Sequence, residues 1–248
     1  MNKDVLGYRL KLGVVGPATN TIVQPDYDAM RPAGVTNHYS RIAVEDASVT
    51  DDSFIAATQM IGANTLDAVR GVMPCRPDHM VMGMSAVTFY GGVAGARSFA
   101  DDIARTAGVG ATVGSTALAA ALAACPGVGR VAFLSPYFPS ANRAVTAFLE
   151  ECGYAVVREV PLQCERWTAI AEVPEARLIE TIRSLDGSDV DAIIQVGTNL
   201  SMVRLAAEAE RWLSKPVIAI NTATYWHALR SCGIDDRFTG FGRLFEDC

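Results

Sequence analysis

Short runs of aliphatic and β-branched residues alternate with longer stretches of helical periodicity along almost the whole chain. The pattern predicts strands at 12–15, 37–42, 79–83, 130–134, 156–160, 192–196 and 216–220. It predicts helices at 52–72, 89–107, 115–124, 140–151, 174–185, 199–213 and 222–232. These carry apolar residues at helical spacing, such as Ala144, Phe148 and Leu149, or Leu205, Ala209 and Trp212. Ser115, Ser140 and Asn199 stand where a helix start wants a side-chain oxygen. Such an alternation of strand, turn and helix builds βαβ units around a mainly parallel sheet, so the fold class is α/β.

A weak duplication runs through the pattern. Leu12-Gly-Val-Val-Gly-Pro17-Ala-Thr-Asn20 is echoed by Val131-Ala-Phe-Leu-Ser-Pro136-Tyr-Phe-Pro-Ser-Ala-Asn142, each a strand running into a proline turn and an asparagine. The strand ending at Gly83-Met84-Ser85 is echoed by the one ending at Gly197-Thr198-Asn199, and both matched pairs are separated by nearly the same stretch of chain. Two pseudo-symmetric halves follow, each a mainly parallel sheet flanked by helices. The first is expected over 1–114 with 221–248 crossing back to it, and the second over 115–220.

Composition narrows the function. With 248 residues, half of them apolar and 19% charged, the chain can bury a large core, which excludes a disordered protein. A net charge of −6 with both signs interspersed leaves no basic stripe for a phosphate backbone, so nucleic acid is not expected as a partner. Residues 1–10 carry Lys3, Asp4 and Arg9 and read as neither a secretory signal nor an anchor. No run reaches the roughly 18 apolar residues of a spanning helix, so no membrane partner and a cytoplasmic location are expected. The apolar composition is compatible with a homodimer or tetramer.

Cys75, Cys125, Cys152, Cys164, Cys232 and Cys248 form no Cys-x-x-Cys pair, and His38, His79 and His227 are equally dispersed, so no metal site is expected. In a reducing compartment the thiols are expected to be free and to act as small buried hydrophobes. The glycines of 107–114 do not fall between a strand and a helix, and no Gly-Lys-Ser phosphate loop is present, which argues against nucleotide binding.

In open parallel sheets ligands sit beyond the carboxyl ends of the strands. Four such turns stand out, at 17–21, 83–86, 135–138 and 197–200. Gly83 and Gly197 let the backbone approach a ligand, and the amides that follow them carry partial positive charge. Ser85, Tyr137, Thr198, Asn20 and Asn199 add hydroxyl and amide donors, a set suited to a carboxylate or its enediolate. Asn20 is equally suited to a turn and Tyr137 to an interface. His38 and His227 are the remaining groups able to move protons near neutral pH, but a structural role is favoured for each.

These turns resemble a known superfamily. Pro17-Ala-Thr-Asn20-Thr21, followed by Arg31-Pro-Ala-Gly-Val-Thr-Asn-His38-Tyr-Ser-Arg41, is similar to the opening of maleate cis-trans isomerases. Met82-Gly83-Met84-Ser85 with Phe89-Tyr90-Gly91-Gly92 looks like arylmalonate decarboxylases, and the tail from Trp226 to Leu244 resembles both. The resemblance implies an aspartate/glutamate racemase-like fold with its site between the halves. It also implies that Gly83 and Gly197 occupy the two positions where those isomerases carry catalytic cysteines.

On this resemblance Tyr137, Ser85 and Thr198 are the expected catalytic groups, and Asn20, Gly83, Met84, Gly197 and Asn199 the expected substrate contacts. Glycine supplies no acid, base or nucleophile. The expected activity is therefore that of a cofactor-independent, thiol-free lyase or hydrolase acting on a small mono- or dicarboxylate, maleate- or malonate-like, through an oxyanion hole. A maleate-type cis-trans isomerase and a carboxylate-binding protein without turnover are the alternatives.

Overall fold

In the computed structural model, which describes residues 4–248, β1 (Leu10–Pro17) buries Leu12, Val14 and Val15 completely, because it lies between two neighbours and is covered on both faces. Met1 to Lys3 of the charged N-terminal stretch lie outside the described residues. β1 pairs in parallel with β2 (Val35–Ile42) and with β3 (His79–Met82), and β3 pairs with β4 (Gly110–Thr112). The second sheet repeats the plan with β5 (Arg130–Ser135) between β6 (Ala155–Pro161) and β7 (Ala192–Gln195), and β8 (Val217–Ala219) beside β7. The strand orders are β2-β1-β3-β4 and β6-β5-β7-β8, so the two halves share one topology.

The helices are α1 (Val23–Ala29), α2 (Asp51–Ala63), α3 (Thr65–Val72), α4 (Gly92–Ala107), α5 (Gly114–Ala123), α6 (Pro139–Glu151), α7 (Glu175–Leu185), α8 (Val203–Leu213), α9 (Ile220–Ser231) and α10 (Arg243–Glu246). α9 runs directly from β8 and packs against α5, β3, β4 and α1, so the C-terminal segment reaches the first sheet. α2 leans on α6 of the other half, and Phe89, from the turn after β3, packs edge to face with Phe148 of α6 at a ring-centroid distance of 5.4 Å. A short antiparallel bridge between Ser48 and Arg166 also joins the halves, reinforced by Asp46, which accepts from the Arg166 guanidinium and the Thr168 hydroxyl.

Several expectations need correction. β4 was not predicted, because a three-residue edge strand that starts on glycine reads as a loop. α1 was missed for a similar reason, being seven residues long with Pro25 in its first turn. The single helix over 52–72 breaks at Asn64, which ends α2 and begins α3. The helix expected from 89 starts at Gly92, after Gly91 and Gly92 both take positive φ.

Nor do Ser115, Ser140 and Asn199 cap helices. The Ser115 hydroxyl donates to the Thr88 carbonyl, that of Ser140 donates to the Asp51 carbonyl, and α8 begins only at Val203. Long-range partners took these side chains away from the local amides they were expected to serve.

Candidate active site

In both sheets the chain leaves the central strand toward one edge and then returns to the other side, so a crevice opens at the carboxyl ends of β1 and β3 and of β5 and β7. The two crevices face each other and form one cavity of about 50 Å³. It brings together Asn20, Met84, Ser85, Tyr137, Gly197, Thr198 and Asn199. Gly83 lies just behind the wall, its carbonyl accepting the Thr198 hydroxyl at 3.0 Å.

The polar side is cross-linked between the halves. The Asn20 Oδ1 accepts the amides of Ile22 and Val23, which opens α1, while its Nδ2 donates to Thr198 Oγ1 at 3.1 Å. The turn role weighed for Asn20 is thus taken by its Oδ1, while its Nδ2 bonds another residue of the cavity lining. Asn199 Oδ1 accepts the Thr21 amide at 2.9 Å, and its Nδ2 donates to the Trp167 carbonyl at 2.9 Å. Ser85 Oγ lies 2.8 Å from Tyr137 Oη and accepts the Gly197 amide at 3.2 Å.

These bonds leave a pattern in the backbone. Among the described residues, the amides of Met84 and Ser85 after β3, and of Thr198 and Asn199 after β7, find no acceptor. Two matching pairs of adjacent N–H groups, one in each half, thus belong to buried residues of the cavity lining, and backbone amides carry partial positive charge. Buried amides are almost always paired, so four such amides around one cavity suit a guest rich in hydrogen-bond acceptors, such as a carboxylate.

The opposite wall is apolar and was not foreseen. Phe54, Thr58 and Ile61 reach the cavity from α2, and Trp167 and Ile170 from the segment before α7. Phe54 contacts Tyr137 and Trp167 at ring-centroid distances of 5.3 Å and 5.4 Å. Ile61 and Trp167 also line a wider groove of about 560 Å³ bounded by Val44, Ala57 and Met60. The spacing of Phe54, Thr58 and Ile61 marks one helix face, which was the available signal.

Among the described residues, the lining holds no Cys, His, Asp, Glu, Lys or Arg. The Arg41 guanidinium donates to the Asn20 carbonyl at 2.7 Å from outside the cavity. His38 bonds Thr36 on β2, while His227 and His79 flank the Thr112 hydroxyl, and none of the three lines the cavity. The six cysteines are unbonded to one another and lie elsewhere. Burial raises the Tyr137 phenol well above its ordinary value, and the Ser85 bond opposes this.

Behind Thr198 stands a second layer. Asn221 at the start of α9 donates through Nδ2 to the Thr198 carbonyl at 2.9 Å and to Asp26 Oδ2 at 2.8 Å. Burial lifts the Asp26 carboxyl to about 6, against the opposing Asn221 bond and Arg204 charge. Because the raised value belongs to the folded state, this group weakens the fold progressively as pH rises from the ordinary carboxylate range through about 6. Asp26→Asn keeps an acceptor for Asn221 and removes that cost. In paired thermal and urea unfolding it is expected to exceed the wild type by on the order of 2 kcal/mol near pH 7 and to match it near pH 4. Equal stability at both pH values would contradict the assignment.

Two matching parallel-sheet halves that close a neutral, amide-lined cavity define an α/β enzyme of the aspartate/glutamate racemase-like fold. The chain belongs to the arylmalonate decarboxylase family, whose model matches residues 12–245. It is 29% identical over 212 residues to the arylmalonate decarboxylase of Bordetella bronchiseptica, covering 79% of this chain and 88% of that one. It is 31% identical over 118 residues to the maleate isomerase of Nocardia farcinica, 47% of each chain. In structure it matches the maleate isomerase of Pseudomonas putida S16 with maleate at a TM-score of 0.86 and 21% identity, over 95% of this chain and 97% of that one. It matches the Nocardia farcinica maleate cis-trans isomerase with a covalently bound succinylcysteine intermediate at 0.85 and 23%, over 96% and 99%.

Proposed function

We propose that this chain is a cofactor-independent decarboxylase of malonate-type dicarboxylates that works without a thiol. The observation that carries the reading is the set of four backbone amides without a protein partner on residues that line one cavity with Phe54, Ile61, Trp167 and Ile170. When carbon dioxide leaves a malonate, the bonding electrons pass into the retained carboxylate and form an enediolate. Donors held around that carboxylate stabilise the growing charge, and being fixed in place they need no reorganisation. The departing carboxylate lies against Phe54, Ile61, Trp167 and Ile170, where its charge is poorly solvated and its loss is favoured. A cavity of about 50 Å³ has no room for an aryl ring, so the substituent extends past Ile61 and Trp167 into the outer groove.

Gly83 and Gly197 stand, on this reading, where the related isomerases carry catalytic cysteines. A succinylcysteine intermediate requires a thiol in the Nocardia isomerase, and no cysteine lines the cavity here, which disfavours cis-trans isomerisation. Hydrolysis is disfavoured because the lining offers no base to activate water.

The test is incubation of the purified protein with aryl- and alkylmalonates, maleate and malonate half-amides, scoring carbon dioxide, fumarate and ammonia. Carbon dioxide from a malonate, undiminished after iodoacetamide treatment, is the expected result. Stoichiometric inactivation by iodoacetamide would mean that a cysteine acts after all. Binding of diacids seen as thermal stabilisation, with no product from any compound, would make the chain a carboxylate-binding protein.

A further inference from the structure

Decarboxylation leaves a carbanion equivalent that has to take up a proton at carbon, and the lining contains no thiol, imidazole, ammonium or carboxyl group to give one. Its O–H groups belong to Thr19, Thr58, Ser85, Tyr137 and Thr198. Thr58 donates to the Ile55 carbonyl and Thr198 to the Gly83 carbonyl, so their protons are engaged. Among the rest, the phenol is by far the strongest acid.

The hydrogen-bond order around it is suited to proton donation. The Gly197 amide fills one acceptor position on Ser85 Oγ, and the Ser85 hydroxyl can then donate to Tyr137 Oη across 2.8 Å. That arrangement leaves the phenolic proton without a protein acceptor at the cavity lining and supplies a donor to the phenolate that forms. We propose that Tyr137 delivers the proton to the enediolate carbon, with Ser85 as the positioning residue that stabilises the resulting phenolate. The inference rests on the decarboxylase reading.

The step balances. The bond from the central carbon to the departing carboxylate breaks, and its electron pair forms the enediolate. The Tyr137 O–H bond then breaks as the enediolate pair forms the new C–H bond. The phenolate afterwards takes a proton from solvent water. An enediolate carbon is far more basic than a phenolate, so the transfer is downhill even though burial makes this phenol a weaker acid than usual. The same burial keeps the phenol protonated at neutral pH.

The test uses an arylmalonate with a methyl group on the central carbon, which gives a chiral monocarboxylate. The wild type is expected to yield one enantiomer in excess, with a single deuterium at the α carbon in heavy water. Tyr137→Phe keeps the ring packed on Phe54 and is expected to turn over at least tenfold more slowly and to give a racemic product. Product of unchanged enantiomeric excess from Tyr137→Phe, or racemic product from the wild type, overturns the assignment.

Fluorotyrosine at 137 provides a second measurement if the Phe variant folds poorly. It keeps the ring and an O–H of altered acidity, so it is expected to retain the wild-type enantiomeric excess with a changed kcat and solvent isotope effect, and no change in either counts against Tyr137. Failure of the wild type to release carbon dioxide from any malonate overturns the decarboxylase reading, and this inference falls with it. Carbon dioxide release with the wrong stereochemical outcome overturns only the role of Tyr137.

Discussion

Ser85→Ala is expected to lower kcat on a malonate substrate by about a hundredfold or more, the usual effect of deleting one fixed donor at a site of developing charge. Ser85 is only 1% exposed, and its Oγ serves two groups at once, the Gly197 amide from the second half and the Tyr137 phenol. Alanine leaves both without their partner inside a cavity that holds no charge to compensate. The stability cost is read separately. Each orphaned polar group costs about 1–3 kcal/mol, and in a chain of this size that lowers Tm by several degrees. Kinetics well below the transition therefore separate the two effects. A variant that keeps a rate within about threefold of the wild type, at the reduced Tm, would reduce Ser85 to a packing residue.

The two kinds of information in the chain explain which parts of this site were readable in advance. Strand ends follow from period-two and buried apolar runs, so the turns bearing Asn20, Ser85, Tyr137 and Thr198 could be placed, and parallel topology gathers such turns on one side of the sheet. The apolar wall depends on packing between halves. α2 was predicted, as part of a longer helix, but nothing local says that its Phe54-Thr58-Ile61 face closes over the turns of the other half. Trp167 and Ile170 lie in a stretch without periodicity, and they are held there by contacts from Phe54, Asp46 and Asn199.

Asn199 shows how a sound local rule is overridden. Asparagine before a helical pattern is a good cap, yet here its side chain bonds Thr21, 178 positions away, and Trp167, 32 positions away. Asp26 and Asn221 were missed altogether, since their connection to Thr198 arises only when α9 crosses to the first sheet. Gly62 inside α2 illustrates the same limit. It weakens the helix locally, but a Cβ there would meet Val87 Cγ2 at 2.8 Å, so its value lies in close packing.

Installing a thiol at the two strand-end glycines is expected to give opposite results, which makes the pair a sharp test of the backbone at this site. Gly83 takes no left-handed conformation, and a Cβ there would meet Val23 Cγ1 at 3.0 Å and the Val15 carbonyl at 3.2 Å. A small adjustment of Val23 relieves the first contact, so Gly83→Cys is expected to fold, at a cost of about 1–2 kcal/mol.

Gly197 has φ of +101°, and a Cβ would fall 2.3 Å from Pro136 Cδ and 2.4 Å from its Cγ. A proline ring in a tight turn cannot rotate away, so cysteine there adds backbone strain to a steric clash. The combined cost is about 3–5 kcal/mol, or roughly 10 °C in Tm. Relieving it displaces the turn that carries Tyr137, and it moves the amide that holds Ser85. Gly197→Cys is thus expected to lose activity even where it still folds, without gaining a reactive thiol. A Gly197→Cys variant with wild-type Tm, titrating as a fast-reacting thiol, would show that this turn adopts ordinary backbone angles in solution and that glycine is not what shapes the donor patch.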